Sequence, residues 1–399
     1  MPRCLTQEWL FVNNQVSMST AIYAFSGDPI TYGHIDIIKR AAGVFDRLIV
    51  AVGVNPAKKY LFSLEERERL ARQALISLKN VQVVSFTGLL IDFAYEMGAD
   101  VIVKGVRNPT DFEYEAVLQQ LGETQQLGID TFILIAHPEL AHVSSSAVKQ
   151  IQLEQGLIHE YVPLNVKQAI EAKMSQQYII AVTGEIGAGK SYVSQEFVKY
   201  GQQIGMTVHH IDLDLITRQI YQELAEPKYQ QVRDTIAAEF GSELKNSDGG
   251  INRQKLGEIV FADSGKLQLL NQIMRKPLMV RIRRELYGKK GLILLNAALI
   301  IESQMCFLSS NHVCLIKTDR QSQYQRLQAR QLSTEQIERR LASQYTFEQK
   351  LDSMKTLIEE SGFGRVWVVD NGASSIRDNI SSVFEQVTSY FQLTAGSDK

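Results

Sequence analysis

The chain has 399 residues, with 42 basic against 44 acidic side chains and a formal net charge of −2. Charge so near balance excludes the broad cationic surface that nucleic acid or an anionic membrane face would demand. The length allows two or three domains, each with its own core. Three cysteines, Cys4, Cys306 and Cys314, show neither metal spacing nor a paired framework, which suits a reducing cytoplasm.

No apolar run reaches membrane length; the longest, residues 292–301, has the size of a buried strand. Residues 1–17 lack a basic start followed by an apolar core, so they read as a disordered extension rather than a secretory signal, with Met18 a second candidate start.

From residue 21 the chain alternates strand and helix. Residues 21–25 form an apolar strand, followed by the turn Ser26-Gly-Asp-Pro-Ile-Thr31-Tyr-Gly-His34 and a helical pattern from Ile35. A second strand covers 47–54, and Ser63-Leu-Glu-Glu66 is a capping-box start for a charged helix whose Glu/Arg alternation reads as a solvated face. Further strands cover 81–86 and 101–103. This alternation predicts a parallel α/β sheet with its ligand beyond the carboxyl ends of the strands. Ser26, Lys58, Lys104 and Arg107 all fall in post-strand positions.

His34 alone would pass for a structural histidine, but Thr31-Tyr-Gly-His34 matches the T/H-x-G-H turn of nucleotidyltransferases that split ATP between its α and β phosphates. With Lys58-Lys59, Ser63-Leu-Glu-Glu-Arg67, Lys104-Gly105-Val-Arg107, Asp111-Phe-Glu-Tyr-Glu115 and Val143-Ser144-Ser145-Ser146-Ala-Val-Lys149, residues 20–170 resemble bacterial phosphopantetheine adenylyltransferase. The resemblance implies a Rossmann-like domain in which the phosphate of 4'-phosphopantetheine attacks the α-phosphorus of ATP. It makes His34 and Ser26 contacts of the α-phosphate and Lys58 the holder of the incoming phosphate. Lys104, Gly105 and Arg107 meet the substrate and polyphosphate, Glu115 meets ATP, and Ser144, Ser145 and Ser146 meet the outer phosphates. Leu89 and Leu90 match positions lining the pantetheine arm. The family's usual glycine before the loop serine is Phe25 here, with Gly27 two residues on, and the first arginine of its R-G-x-R is Lys104. By resemblance this half would assemble as a homo-oligomer.

Residues 164–174 read as a closing helix, and only Ser175-Gln-Gln177 precedes a second apolar strand. The expected domains are therefore 1–17 as extension, 18–174, a linker at 175–177, and 178–399. Gly184-Glu185-Ile186-Gly187-Ala188-Gly189-Lys190-Ser191 fits G-x-x-x-x-G-K-[ST], a phosphate-binding loop between strand and helix. Its backbone N–H groups and the helix start would cradle phosphate, Lys190 would reach the outer phosphates, and Ser191 would hold Mg2+. Residues 206–214 read as a strand ending in two carboxylates, Asp212 and Asp214, placed to orient a hydroxyl nucleophile and take its proton. His209 and His210 beside them lack a third ligand at fitting spacing and read as ordinary side chains.

Residues 213–290 are strongly helical, like a substrate-binding cap. Strands follow at 292–302, ending at Glu302, then at 313–319 and 366–372. Arg326 and Arg330, four apart, would share one face of a lid helix over the phosphates. Together these motifs resemble dephospho-CoA kinase over residues 178 to about 390. The resemblance implies transfer of the ATP γ-phosphate to the ribose 3'-hydroxyl of dephospho-CoA, with Asp214 as general base and Asp212 supporting. Asn296 stands where that family often has an acidic residue. The two resemblances describe consecutive steps of coenzyme A synthesis, so the expectation is a cytoplasmic, bifunctional α/β enzyme using ATP and Mg2+. Two alternatives stand beside it. In one, only the kinase is active and the first half, altered at Phe25 and Lys104, serves binding or assembly; in the other, the kinase acts on a different small alcohol.

Overall fold

The computed structural model describes residues 18–260, 262–372 and 376–393, so the extension expected at 1–17 lies outside the described residues. The chain divides into two compact units after Ser145.

The first unit alternates β1 (Thr20–Phe25), α1 (Tyr32–Ala42), β2 (Arg47–Gly53), α2 (Leu64–Ala74), β3 (Val81–Phe86), α3 (Leu90–Glu96), β4 (Val101–Val106), α4 (Pro109–Glu123) and β5 (Asp130–Ile135). The sheet is parallel throughout in the order β3-β2-β1-β4-β5. Central β1 and β2 are buried on both faces, and their unbroken Ile/Val/Ala/Leu runs are what two-sided covering by helices requires. The order reverses beside β1, so the crevice at its carboxyl end is a topological switch point. Strand β5, whose Phe132-Ile-Leu-Ile135 run follows a polar stretch and closes one edge of the sheet, is additional to the strands expected from the sequence.

Helix α2 departs from its expected solvated face. Ser63 and Glu66 do form the capping box, but Arg67 is 1% exposed. Its guanidinium donates to the backbone oxygens of Ser26 and Gly53 and lies 4.0 Å from the centre of the Tyr60 ring. Two strand-end carbonyls accept from Nη1 and the Tyr60 ring faces the guanidinium, which offsets part of the cost of burying this charge, while Nε is buried without a hydrogen-bond partner.

α5 (Ser145–Leu153) begins at the division. The second unit continues with α6 (Leu164–Ile170), a π turn at Glu171–Ser175, β6 (Gln177–Gly184), α7 (Lys190–Gln203), β7 (Val208–Asp212), α8 (Leu213–Gln222) and α9 (Pro227–Phe240). Then come α10 (Arg253–Val260), α11 (Ser264–Leu286), β8 (Gly291–Asn296), β9 (His312–Lys317), α12 (Arg320–Gln328), α13 (Thr334–Ala342), α14 (Phe347–Ser361), β10 (Arg365–Asp370) and α15 (Ile376–Tyr390). Its parallel sheet runs β10-β9-β6-β8-β7, with β6 in the middle. Helices α8 to α11 pack as a cap in one core with β7 and β8. Helix α6 is built into this unit: Lys167 Nζ donates to Glu171 Oε1 at 2.7 Å and to the Leu308 carbonyl at 3.1 Å, all in buried surroundings.

Three expectations are corrected. Strand β8 stops at Asn296 and the chain turns, so Glu302 is not on a strand; its Oε1 instead accepts from the buried Lys350 Nζ at 2.5 Å and from the Tyr345 N–H. Strand β7 ends at Asp212, and Asp214 already lies in the first turn of α8. Helix α12 ends at Gln328, so Arg330 does not share its face with Arg326. In each case apolar periodicity reads through a turn that local hydrogen bonds impose.

Candidate active sites

In the first unit the loop after β1 turns through Gly27, at φ +60°, into α1. A side chain at 27 would be strained there and would meet the Phe25 ring at 3.0 Å. That ring lies 4.9 Å from the His34 ring. Phe25 thus folds over the glycine beside it and flanks the histidine.

Thr31 caps α1, and His34, three residues on, occupies the place a capping-box carboxylate would take. Its Nδ1 accepts the Thr31 N–H at 3.0 Å, with the Thr31 hydroxyl 2.9 Å away. A ring nitrogen that accepts a backbone N–H carries no proton, so in the neutral ring the proton sits on Nε2. Burial, then the positive charges of Arg107 and Lys58, lower the His34 pKa to about 4. His34 is therefore a neutral Nε2–H donor at physiological pH, in a field set by two cations.

Lys58 Nζ donates to Ser26 Oγ at 3.3 Å. The segment carrying Lys58 is held by Asp28, whose carboxylate accepts the Leu61 and Phe62 N–H groups, while Arg67 holds the loop after β1 through the Ser26 carbonyl. Ser145 Oγ donates to the Pro29 carbonyl at 2.8 Å, tying the start of α5 to the same loop. Lys104 Nζ is 2.8 Å from Glu115 Oε2, and Arg107 Nε is 2.9 Å from Asp111 Oδ2. Gly105, between the two cations, faces Ile37 of α1. Leu90 packs into the core beside β1 and β2, whereas Leu89 is exposed.

Arg67 and Asp28 were not singled out as site residues, since each reads locally as a helix or turn residue. Arg67→Ala is expected to cost about 2 to 4 kcal/mol, because two buried carbonyls lose their donor. Urea unfolding followed in the first unit checks this; a loss under 1 kcal/mol would mean the two carbonyls find other donors.

In the second unit the phosphate loop joins β6 to α7. Gly184, Gly187 and Gly189 have φ of +155°, +81° and +94°. A Cβ at 189 would overlap the Asn371 side-chain amide, and at φ +94° a side chain would be strained, so glycine is favoured here. Lys190 Nζ donates to the Gly184 and Glu185 carbonyls at 3.1 and 3.2 Å. Burial lowers its pKa to about 8, against the upward pull of Asp214. Ser191 Oγ lies 3.4 Å from Asn296 Nδ2, which is also 3.2 Å from His210 Nε2.

Asp212 Oδ1 accepts the Asp214 and Leu215 N–H groups, making it the N-cap of α8. Desolvation raises the Asp214 pKa, with Lys190 opposing and Asp212 adding to the rise. The two carboxylates differ in environment: Asp212 is committed to backbone N–H groups, and the Asp214 pKa is raised by burial. Ser191 and the two carboxylates are hard oxygen donors of the kind Mg2+ takes when it also binds phosphates and water. Among the described residues, no cluster of three His, Cys, Asp or Glu side chains is arranged to hold a metal by itself.

Arg326 sits beneath the loop: Nη1 donates to the Gly187 and Ala188 carbonyls, both at 3.1 Å, and Nη2 to the Asn371 carbonyl. Arg330 is exposed beyond the helix end but close enough to contribute to the lowered pKa of Lys190.

A crevice with a neutral histidine and convergent cations, and a phosphate loop facing a carboxylate base, define a nucleotidyltransferase and a P-loop kinase in one chain. Residues 26–151 match the cytidylyltransferase-like family model and residues 178–364 the dephospho-CoA kinase model. Phosphopantetheine adenylyltransferases from Clostridium kluyveri, Caldanaerobacter subterraneus and Clostridium perfringens are 47%, 43% and 42% identical to this chain. Each alignment covers 40% of this chain and 98%, 99% and 96% of those proteins, respectively. The chain belongs to the phosphopantetheine adenylyltransferase family through its first half, and with the kinase domain that follows it is a bifunctional transferase of coenzyme A biosynthesis. Identity at this level over whole relatives does not favour a first half reduced to binding or assembly.

Proposed function

We propose that the chain makes coenzyme A from 4'-phosphopantetheine in two ATP-dependent steps. In the first unit the pantetheine phosphate attacks the α-phosphorus of ATP and pyrophosphate leaves, giving dephospho-CoA. No enzyme nucleophile is needed, so placement and charge neutralisation supply the rate. The His34 Nε2–H and Ser26 hydroxyl donate to the α-phosphate, Lys58 aligns the incoming phosphate, and Lys104 and Arg107 exchange their carboxylate partners for phosphate oxygens. Ser144 to Ser146 meet the pyrophosphate.

In the second unit phosphate-loop amides other than that of Ile186, which donates to Gln344, hold the ATP phosphates, and Lys190 leaves the loop carbonyls for the β and γ oxygens. Asp214 takes the proton of the ribose 3'-hydroxyl as that oxygen attacks the γ-phosphorus. Ser191 would hold Mg2+, which would supply charge neutralisation on the phosphates. Arg330 completes the phosphate neutralisation, and Arg326 shapes the loop. The observation that carries this reading is the neutral, Thr31-anchored His34 in a chain whose second phosphate site has a carboxylate base. Incubating the whole protein with phosphopantetheine and Mg-ATP, with products followed by mass, tests it. Coenzyme A with transient dephospho-CoA is expected; product only when dephospho-CoA is supplied would remove the first activity.

The first unit also assembles with copies of itself. Helix α4 has no buried residue, yet Tyr114, Val117, Leu118 and Leu121 share one exposed side of it, and Phe132 and Ile135 are exposed on edge strand β5. An apolar face of this extent on a helix that buries nothing fits a second copy. Sedimentation should show an oligomer that Leu121→Glu dissociates; a monomeric parent protein would sink this assignment. A reducing cytoplasm fits Cys306 and Cys314, both buried and free, with thiol pKa values pushed up to about 12 by burial.

A further inference from the structure

Glu185 and Ile186, two of the four positions the phosphate-loop motif leaves open, meet the segment carrying α12 and α13 through a side-chain carboxylate and a backbone N–H, respectively. Ile186 packs against a small separate core of Leu327, Ile337 and Leu341, with Tyr324 and Leu332. Its backbone N–H donates to Gln344 Oε1 at 3.1 Å. Glu185 Oε2 accepts from Gln323 Nε2 at 2.9 Å, and Gln323 is 1% exposed. Gln323 stands where this segment leaves β9, and Gln344 where it returns. The return is itself anchored: the next residue, Tyr345, donates its N–H to Glu302 Oε1, the acceptor of buried Lys350.

We propose that Gln344 is a positioning residue for ATP in the kinase unit, acting through the Ile186 amide. Loop amides bind phosphate well only when the backbone is held in its inward-facing curl before the ligand arrives. Lys190 fixes two of the loop's carbonyls and Arg326 two more, but Gln344 fixes an N–H, and does so from the segment that overlies the loop. The side-chain amide therefore makes the 320–344 segment and the phosphate loop one mechanical piece. The segment does not swing freely over a finished site; it shapes the loop it covers. Gln344 reaches neither the phosphates nor the 3'-hydroxyl in this account, so its loss weakens nucleotide binding while leaving the chemical step intact.

This inference rests on the kinase reading above, and its test has one readout that does not. In the full-length protein, Gln344→Ala should raise the KM for ATP about 3- to 10-fold, as loss of one hydrogen bond would. The readout is ADP release with dephospho-CoA as acceptor, and kcat should change less than twofold. Gln344→Glu keeps an acceptor of the same reach and should hold the loop without nucleotide, restoring the parent's amide exchange over 184–191. Hydrogen exchange at 184–191 and 320–345, with and without ATP, reads the loop alone, whatever the acceptor and whatever binds in the first unit. Faster exchange confined to these two segments in Gln344→Ala, with ATP protection needing more nucleotide, supports the proposal. An unchanged KM and unchanged exchange would overturn it. So would faster exchange throughout the second unit, since Gln344 would then be a general structural residue. Absence of dephospho-CoA turnover in the parent protein would remove the kinase reading, and the exchange arm would still decide the role of Gln344.

Discussion

His34→Ala should lower the rate of dephospho-CoA formation by about 10²- to 10³-fold, the usual cost of removing one donor aimed at developing phosphate or oxyanion charge. The loss should appear in kcat more than in KM, because the Nε2–H matters most when charge builds on the α-phosphate. Conversion of supplied dephospho-CoA to coenzyme A should be unchanged, which makes the second unit an internal control for folding. The pH dependence has a defined sign. The folded-state pKa of about 4 lies below the ordinary histidine value, through burial and then Arg107 and Lys58. The ring is therefore neutral across the physiological range and gains a proton only as pH falls towards 4. Adenylyl transfer should show no limb near 6.5 attributable to His34. A limb there that falls with rising pH and vanishes in His34→Gln would mean that the charged imidazolium is the working form, and one that rises with pH would mean that the ring keeps an ordinary pKa. The same lowered pKa means the unfolded chain binds the extra proton between its own pKa and about 4. Stability of the first unit is therefore fully present above the unfolded value and declines as pH falls through that window.

The second large effect belongs to Asp214. Asp214→Asn should lower kinase turnover by about 10²- to 10⁴-fold, the range for a positioned general base, with the KM for ATP nearly preserved. Adenylyl transfer is then the internal control. Burial raises the Asp214 pKa, and a stronger base is a better proton acceptor once deprotonated. Kinase turnover should thus fall with decreasing pH at a higher pH than an ordinary carboxylate would dictate. Asp212→Asn differs: its Oδ1 caps α8, and an amide oxygen can still accept those N–H bonds, so the expected loss is smaller. Equal losses in the two variants would show that the carboxylates act as one unit rather than in divided roles.

Much of both sites was legible because phosphate chemistry is local in sequence. A loop that wraps phosphate needs glycines at set spacing followed by a helix start, and Gly184 to Ser191 carry that requirement within eight residues. Thr31 and His34 likewise meet within one helical turn, so the tautomer-fixing hydrogen bond is a property of the T-x-G-H spacing itself. Alternating strands and helices announced the parallel sheet of the first unit, since a strand buried on both faces must be apolar throughout; that the second sheet is also parallel throughout came from the structure.

What sequence could not decide are contacts between residues far apart in the chain. Arg67 looks solvated until the Ser26 and Gly53 carbonyls, 41 and 14 residues away, are brought to it. That the Phe25 ring folds over Gly27 and lies beside His34 follows from no local signal. Arg326 reads as a phosphate ligand from its spacing, yet its guanidinium is engaged by loop carbonyls 138 and 139 residues earlier. Sequence by itself determined which chemistry this chain can perform, because the reacting groups lie on short motifs with fixed local geometry. Only the tertiary structure decided which charged side chains hold those motifs in shape, because a buried charge is tolerated wherever the fold happens to supply its acceptors.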